Sequence, residues 1–320
     1  IKVDAGTYEG AEITVSGIII AGANAGVNPV NSDRSAETVF TTDLVVKADD
    51  VTIDGIQIIG AARIAALDQA IENLTIVNVH IFESSVNATN VSTNAPLYFY
   101  STVEGVEYKN VVIKNVLNTN TKEARPMILY GALFNGLTIK DSKFVGARKN
   151  YNDGIKIVDS AAFGLKGDVE IVGNHFENYS QYVVWLKGYC EGNYSIQNNV
   201  FVNNGQTSGS HAAVTIASYK GAAEGKVVFD FLYNTVRNSY MAVRIDKVDS
   251  RTAENFVAHI NYNKVYECKA TYYVKNSMTF TIDATNNYYD KTPVAAMFLN
   301  AVWEPYYEDE SKVPLYGQPL

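Results

Sequence analysis

The feature that most constrains this chain is a short pattern, apolar-x-apolar followed by a turn, that recurs about every 29 residues. It is found at Leu97-Tyr98-Phe99, Met127-Ile128-Leu129, Ile155-Lys156-Ile157, Val184-Trp185-Leu186, Val214-Thr215-Ile216, Val243-Arg244-Ile245 and Tyr272-Tyr273-Val274, with first residues 30, 28, 29, 30, 29 and 29 apart. A strand returning at that interval is incompatible with a sandwich of hairpins, whose turns come every ~8 to 12 residues. It fits one turn of a solenoid per repeat, each repeat packing only on its neighbours.

A second pattern lies between these strands. Val51-Thr-Ile53-Asp-Gly-Ile-Gln-Ile58, Leu74-Thr-Ile76-Val-Asn-Val-His-Ile81, Leu137-Thr-Ile139-Lys-Asp-Ser-Lys-Phe144, Tyr194-Ser-Ile196-Gln-Asn-Asn-Val-Phe201 and Val257-Ala-His-Ile260-Asn-Tyr-Asn-Lys-Val265 each read as two alternating strands meeting at a corner. Three strands per turn, stacked in register ~4.8 Å apart, give parallel sheets around a dry core. The reading is all-β: a single-stranded right-handed parallel β-helix with three parallel sheets and about nine to ten coils. The corner asparagines Asn174, Asn199, Asn234 and Asn263 are expected to stack and bond one another and the turn backbone, a structural role.

Composition narrows the partners. With 47% hydrophobic and 19% charged residues and only seven prolines among 320, the chain is globular and strand-forming. A formal charge of −8 argues against nucleic acid and anionic membrane as partners. The longest apolar stretch, Ile18 to Ala21 with Gly22 and Ala23, is too short to cross a bilayer, and no signal peptide is seen, as in a mature or trimmed chain. Cys190 and Cys268 fall three rungs apart at opposite ends of one sheet in this register, so two free thiols are expected.

Ile18-Ile-Ile-Ala-Gly22-Ala-Asn-Ala-Gly26, preceded by Ala5-Gly-Thr-Tyr8 and followed by Arg34, Glu37 and Val51-Thr-Ile-Asp-Gly55, resembles the opening coils of bacterial secreted and surface proteins of the pectin-lyase-like superfamily. Tyr182-Val-Val-Trp-Leu-Lys187 and Asn198-Asn-Val-Phe201 are similar to later coils of such domains. The resemblance covers nearly the whole chain as architecture. It implies a secreted or bacterial cell-surface protein, but not an activity, since the superfamily spans lyases, hydrolases, esterases, adhesins and spacers. Many members begin with a helix that covers the first coil, whereas this sequence starts inside a strand. Asn286-Asn-Tyr-Tyr-Asp290 with Pro293, Pro305 and Pro314 breaks the repeat, so residues 1–290 are assigned to the β-helix and 291–320 to a tail packing over its last coil.

In that superfamily the apolar-x-apolar strand belongs to the sheet that binds sugar. Alternation assigns two outward columns here: Tyr98, Ile128, Lys156, Trp185, Thr215, Arg244 and Tyr273, then Tyr100, Tyr130, Val158, Lys187, Ala217, Asp246 and Lys275. Tyr98, Tyr100, Tyr130, Lys156, Trp185, Asp246, Tyr273 and Lys275 are thus the candidate substrate-binding residues, aromatic rings for sugar faces and cations for uronate or sulfate. Asp246 and Lys275 also read as an ion pair across a rung. Lys187 and Arg244 are the candidate catalytic residues of a lyase, which needs a base and a cation to neutralise the uronate carboxylate, although two coils separate them.

Other chemistries fit less well. Asp153, Asp159, Glu191, Asp246 and Asp249 are too scattered for the calcium site of such lyases, and no metal or other cofactor is expected. Asn152-Asp153-Gly154-Ile155 is similar to an element of polygalacturonase-type hydrolases but lacks its Thr and a second carboxylate at the required distance, which leaves Asp153 as a turn residue. His80, His175, His211 and His259 are dispersed. Ser195, Asp230 and His259 share the polar column Thr52, Thr75, Thr138, Glu170, Ser195, Asp230, His259, Thr281, read as a solvent face without an oxyanion hole. The expected function is binding of an acidic polysaccharide by a monomer; the alternative is a polysaccharide lyase, and the third a structural spacer.

Overall fold

A computed structural model describes the chain except for residues 84–94, 104, 120–128, 132, 147–152, 158–163, 188, 206–210, 218–224, 247–250 and 319–320, and describes only the backbone of Tyr130, Gly131, Tyr189 and Cys190. Every strand ladder among the described residues is parallel, and they form three long sheets. Sheet 1 includes Thr52–Asp54, Thr75–Val77, Gly192–Gln197 and Phe256–Asn261; sheet 2 includes Gln57–Ile59, His80–Phe82, Val200–Val202 and Lys264–Tyr266. Sheet 3 includes Ile64–Leu67, Leu97–Tyr100, Val184–Leu186 and Val243–Ile245. The chain visits the sheets in turn, so the protein is a parallel β-helix. Sheets 2 and 3 each hold eleven described strands, more than the nine to ten coils expected, because the first coils lack the apolar-x-apolar signature used for counting.

The local cause is visible at each corner. At eight corners between sheets 1 and 2 only two residues intervene, and the first of them is left-handed: Gly55 (φ 70°), Asn78 (φ 53°), Asn115 (φ 53°), Asp141 (φ 51°), Gly173 (φ 72°), Asn198 (φ 53°), Tyr233 (φ 58°) and Tyr262 (φ 60°). Gly, Asn and Asp tolerate that region best. The second corner residue points inward. In the early coils it is Ile56 or Val79, fully buried. From Asn174 onward it is asparagine: each of Asn174, Asn199, Asn234 and Asn263 donates Nδ2 to the Oδ1 of the next, ending on Asn287, at 2.9–3.1 Å. The expected ladder is present, and every rung also caps a strand carbonyl, as Asn234 does for Ile196 (2.8 Å).

Inside, equivalent residues stack. Phe144, Phe176 and Phe201 lie ring over ring at 5.3 and 5.1 Å, and Ile53, Ile76, Ile139, Ile171 and Ile196 line sheet 1 at no more than 1% exposure. Each such side chain contributes about 1.5–3 kcal/mol of burial only because the coil above covers it. Parallel pairing runs on past residue 290, through Phe298–Leu299 and Ala301–Val302, and Trp303 then stacks on Phe298 (5.4 Å, 11°) over the core end. Tyr316 returns to meet the ring of Tyr233 at 5.8 Å.

The cysteines do not share a sheet. Cys190 belongs to the Tyr189–Cys190 strand beside sheet 1, while Cys268 is buried and free just beyond sheet 2. No helix among the described residues is long and apolar enough to cross a membrane.

Candidate functional site

The register of sheet 3 decides which side chains can share a surface. Its central register column runs Ala65, Tyr98, Tyr130, Lys156, Trp185, Thr215, Arg244, Lys275 and Leu299. Two coils therefore differ from expectation. The strand is Leu129–Gly131, so Tyr130 and not Ile128, which lies outside the described residues, aligns with Tyr98 and Lys156. The strand next to Val243–Ile245 is Val274–Asn276, so Lys275 takes the place expected for Tyr273.

Tyr273 is not on the surface. It sits at the corner before the strand, 1% exposed, its ring 6.0 Å from that of Tyr289 in the core. Burial pushes its hydroxyl pKa well above the ordinary phenol range. Lys275 lies beside Arg244, and it is Arg244 that pairs with Asp246, two residues on, Nε to Oδ1 at 2.5 Å.

Tyr98 faces outward yet is 9% exposed, packed with Ala65 and Ala95 in a small cluster outside the coil. Tyr100 stacks on it at 5.8 Å, and the Arg63 guanidinium, held by Asp43, lies 4.9 Å from its ring. Burial raises its pKa, an effect that Arg63 opposes.

The densest part of the face surrounds Trp185. Lys156 Nζ and Lys187 Nζ lie 4.9 and 4.8 Å from its ring centre, within cation–π range. Tyr182 stacks on it at 4.2 Å and 27°, and His211 meets Tyr182 edge-on at 4.9 Å. The His211 pKa is lowered, first by burial and then by Arg244. The indole is therefore occupied by protein groups and positions two lysines; it is not an open plate for a sugar ring. Thr215, next in the column, is fully buried, and among the described residues neither its hydroxyl nor Trp185 Nε1 has a hydrogen-bond partner. Tyr182 and His211 escaped the sequence reading because they sit at corners, where no alternation marks direction; the only signal was Tyr182 three residues before Trp185.

The second column places Lys187, Ala217 and Asp246 on successive coils, with Val158 outside the described residues. Lys187 and Arg244 are thus two coils apart, and Arg244 spends its Nε on Asp246. Asp153 accepts from Tyr182 N (3.3 Å) on the next coil, as a turn residue does. Among the described residues no three His, Cys, Asp or Glu side chains gather as metal ligands.

On sheet 1 the column is Ser195, Asp230, His259, Asp283, not Thr281, and His259 Nδ1 lies 2.7 Å from Asp230 Oδ1. A nucleophilic triad needs its histidine between the other two. Here the aspartate is central and Ser195 is two rungs, ~10 Å, from the imidazole.

Neither a family model nor a curated protein matches this chain.

Proposed function

We propose that sheet 3 is the binding face of a secreted or cell-surface module of the pectin-lyase-like kind that holds an acidic polysaccharide as a monomer. The observation that carries this reading is the pair of lysines, Lys156 and Lys187, whose Nζ atoms lie 4.9 and 4.8 Å from the Trp185 ring centre on an exterior face of a chain with net charge −8. Arg244 and Lys275 extend the cations along the same column to four rungs from Lys156, ~19 Å. A polymer carrying carboxylates or sulfates along its length suits such a row, and a chain lying along it meets a cation at most rungs. Binding then comes from charge, with the aromatic rings holding the cations in place, and Lys187 and Arg244 act as ligands for the polymer. The lyase reading asks those two to act on one sugar unit across two coils.

The test is retention of the intact protein on immobilised polygalacturonate, alginate and chondroitin sulfate, with dextran as the neutral comparison. Binding to acidic polymers at low salt is expected, lost near 1 M salt, where the screening length is ~3 Å. Lys156→Ala and Lys187→Ala should each weaken it by roughly three- to tenfold. Equal retention on dextran sinks the reading. Growth of ultraviolet absorbance from an unsaturated product, abolished in Lys187→Ala, replaces it with the lyase.

A further inference from the structure

Between sheets 1 and 2 most later corners take two residues, but the first takes a loop, residues 22–37, whose Ser32, Asp33 and Arg34 come back beside Gln57, His80 and Leu117 of sheet 2. The loop is fastened. Gly26 N donates to Asp54 Oδ1 (3.1 Å), Asn24 Nδ2 to the Ala36 carbonyl (2.5 Å), and the Arg34 guanidinium to the Asn78 carbonyl (2.9 Å) and to Glu37 Oε2 (2.6 Å). The Arg34 side chain is only 4% exposed.

Under this loop a pocket of about 300 Å³ remains, with Ser32, Asp33, Arg34, Glu37, Gln57 and His80 on its polar side. Pro29 and Leu117 supply an apolar side. That volume is at the small end of ligand pockets. Gln57 Nε2 lies 2.9 Å from His80 Nδ1, and His80 Nε2 lies 3.1 Å from Thr119 Oγ1, contacts that a neutral imidazole accepting at Nδ1 and donating at Nε2 satisfies, and burial with the Arg34 charge favours that neutral form. The Gln57 amide oxygen and the Asp33 carboxylate remain as acceptors, and the Ser32 hydroxyl can both give and take.

The charges choose the ligand class. Glu37 neutralises Arg34, His80 carries no charge, and Asp33 is left over, so the pocket is weakly negative. An anion meets two carboxylates and a cation meets a buried guanidinium. We propose that this pocket binds a neutral, polyhydroxylated ring of hexose size, its hydroxyls on Ser32, Asp33 and Gln57 and its C–H face toward Leu117 and Pro29. The site is on a different sheet from the cation row and does not depend on it.

The experiment is ligand-observed NMR and calorimetry of the intact protein with glucose, galactose, mannose and N-acetylglucosamine, and with glucuronate as the charged counterpart of glucose. At least one neutral sugar should bind with a Kd on the order of 1 mM. Gln57→Ala and Asp33→Ala should each weaken that by about tenfold, and Trp185→Ala should leave it unchanged. If a variant melts early, shifts of the Gln57 and His80 side-chain signals on titrating the wild-type protein serve instead. The proposal is overturned if no neutral sugar binds, if glucuronate binds more tightly than glucose, or if binding survives both substitutions or moves no signal at Gln57 or His80.

Discussion

Asn199 and Asn234 occupy the same corner on successive coils, and Asn234 Oδ1 accepts from both the backbone N (2.9 Å) and the Nδ2 (3.0 Å) of Asn199. Both residues are at most 1% exposed, so neither donor can turn to water. Asn234→Ala strands those two donors and the Ile196 carbonyl. An unpaired buried group costs about 1–3 kcal/mol, and partial relaxation leaves a net loss of about 2–4 kcal/mol. The exposed Asn193, whose Nδ2 bonds Asp168 at 3.0 Å, is the comparison. Its alanine variant should lose less than about 1 kcal/mol, and equal shifts of the two urea midpoints would show that the ladder is not what holds the corner.

Gly55 is the residue on which the 22–37 loop rests. It has φ 70°, and a Cβ there would stand 2.0 Å from Ala25 N and 2.1 Å from the Asn24 carbonyl carbon, both backbone atoms that cannot step aside. Gly55→Ala should therefore lift the loop, with a cost of about 2–4 kcal/mol from clash and left-handed strain together. Limited proteolysis should newly cut within residues 22–37 while the later coils stay intact. An uncut loop and an unchanged melting temperature would show that the contact is slack.

Much of this architecture was legible because a solenoid repeats its constraints. Val184 with Leu186, and Val243 with Ile245, are buried pairs flanking an outward residue, and each coil had to restate that pattern to fill its share of the core. The reading slipped where an inward residue is not apolar. Asn276, fully buried, donates to the Phe280 and Asn300 carbonyls (2.7 and 3.0 Å) in a place where the pattern asks for a hydrophobe. A constant period then drew the strand two residues early, onto Tyr273. Loop length carries no such constraint, since lengthening a surface connection costs little, and so equal spacing was an unsafe guide to register. The shared column of Lys156, Trp185 and Arg244 was found because strand alternation gave its direction. The closing of the Trp185 and Tyr98 faces was not, because Tyr182, His211 and Arg63 come from corners.

His80 ties the loop to acid stability. Burial, and then the nearby Arg34 charge, lower its pKa from 6.5 to about 4. The unfolded chain therefore binds the proton more readily than the folded one between those values. The stabilisation is fully present above pH 6.5 and is lost as pH falls toward 4, on the order of 2 kcal/mol after discounting for solvent screening. Chemical unfolding at pH 7 and pH 4 should show a larger drop for the wild-type protein than for His80→Gln, which cannot titrate. Carboxylate effects are common to both and cancel in the difference. Parallel pH curves for the two proteins would place the His80 pKa near its ordinary value.

Asp246 offers a sign test of the cation row. Its carboxylate, just past the end of the Val243–Ile245 strand, holds Arg244 Nε at 2.5 Å, and the two side chains are 26% and 18% exposed. A pair so close to solvent adds little to stability, so Asp246→Ala should shift the melting temperature by no more than a few degrees. Its effect on binding should run opposite to that of removing a lysine. Deleting one negative charge from the face raises the local potential and opens Arg244 Nε to an incoming carboxylate, and retention on polygalacturonate should strengthen by about three- to tenfold at low salt. The gain should vanish near 1 M salt, where charges more than ~3 Å apart are screened. If Asp246→Ala weakens binding instead, the aspartate is itself a ligand, accepting from sugar hydroxyls, and the polymer is held by hydrogen bonds at that rung rather than by charge.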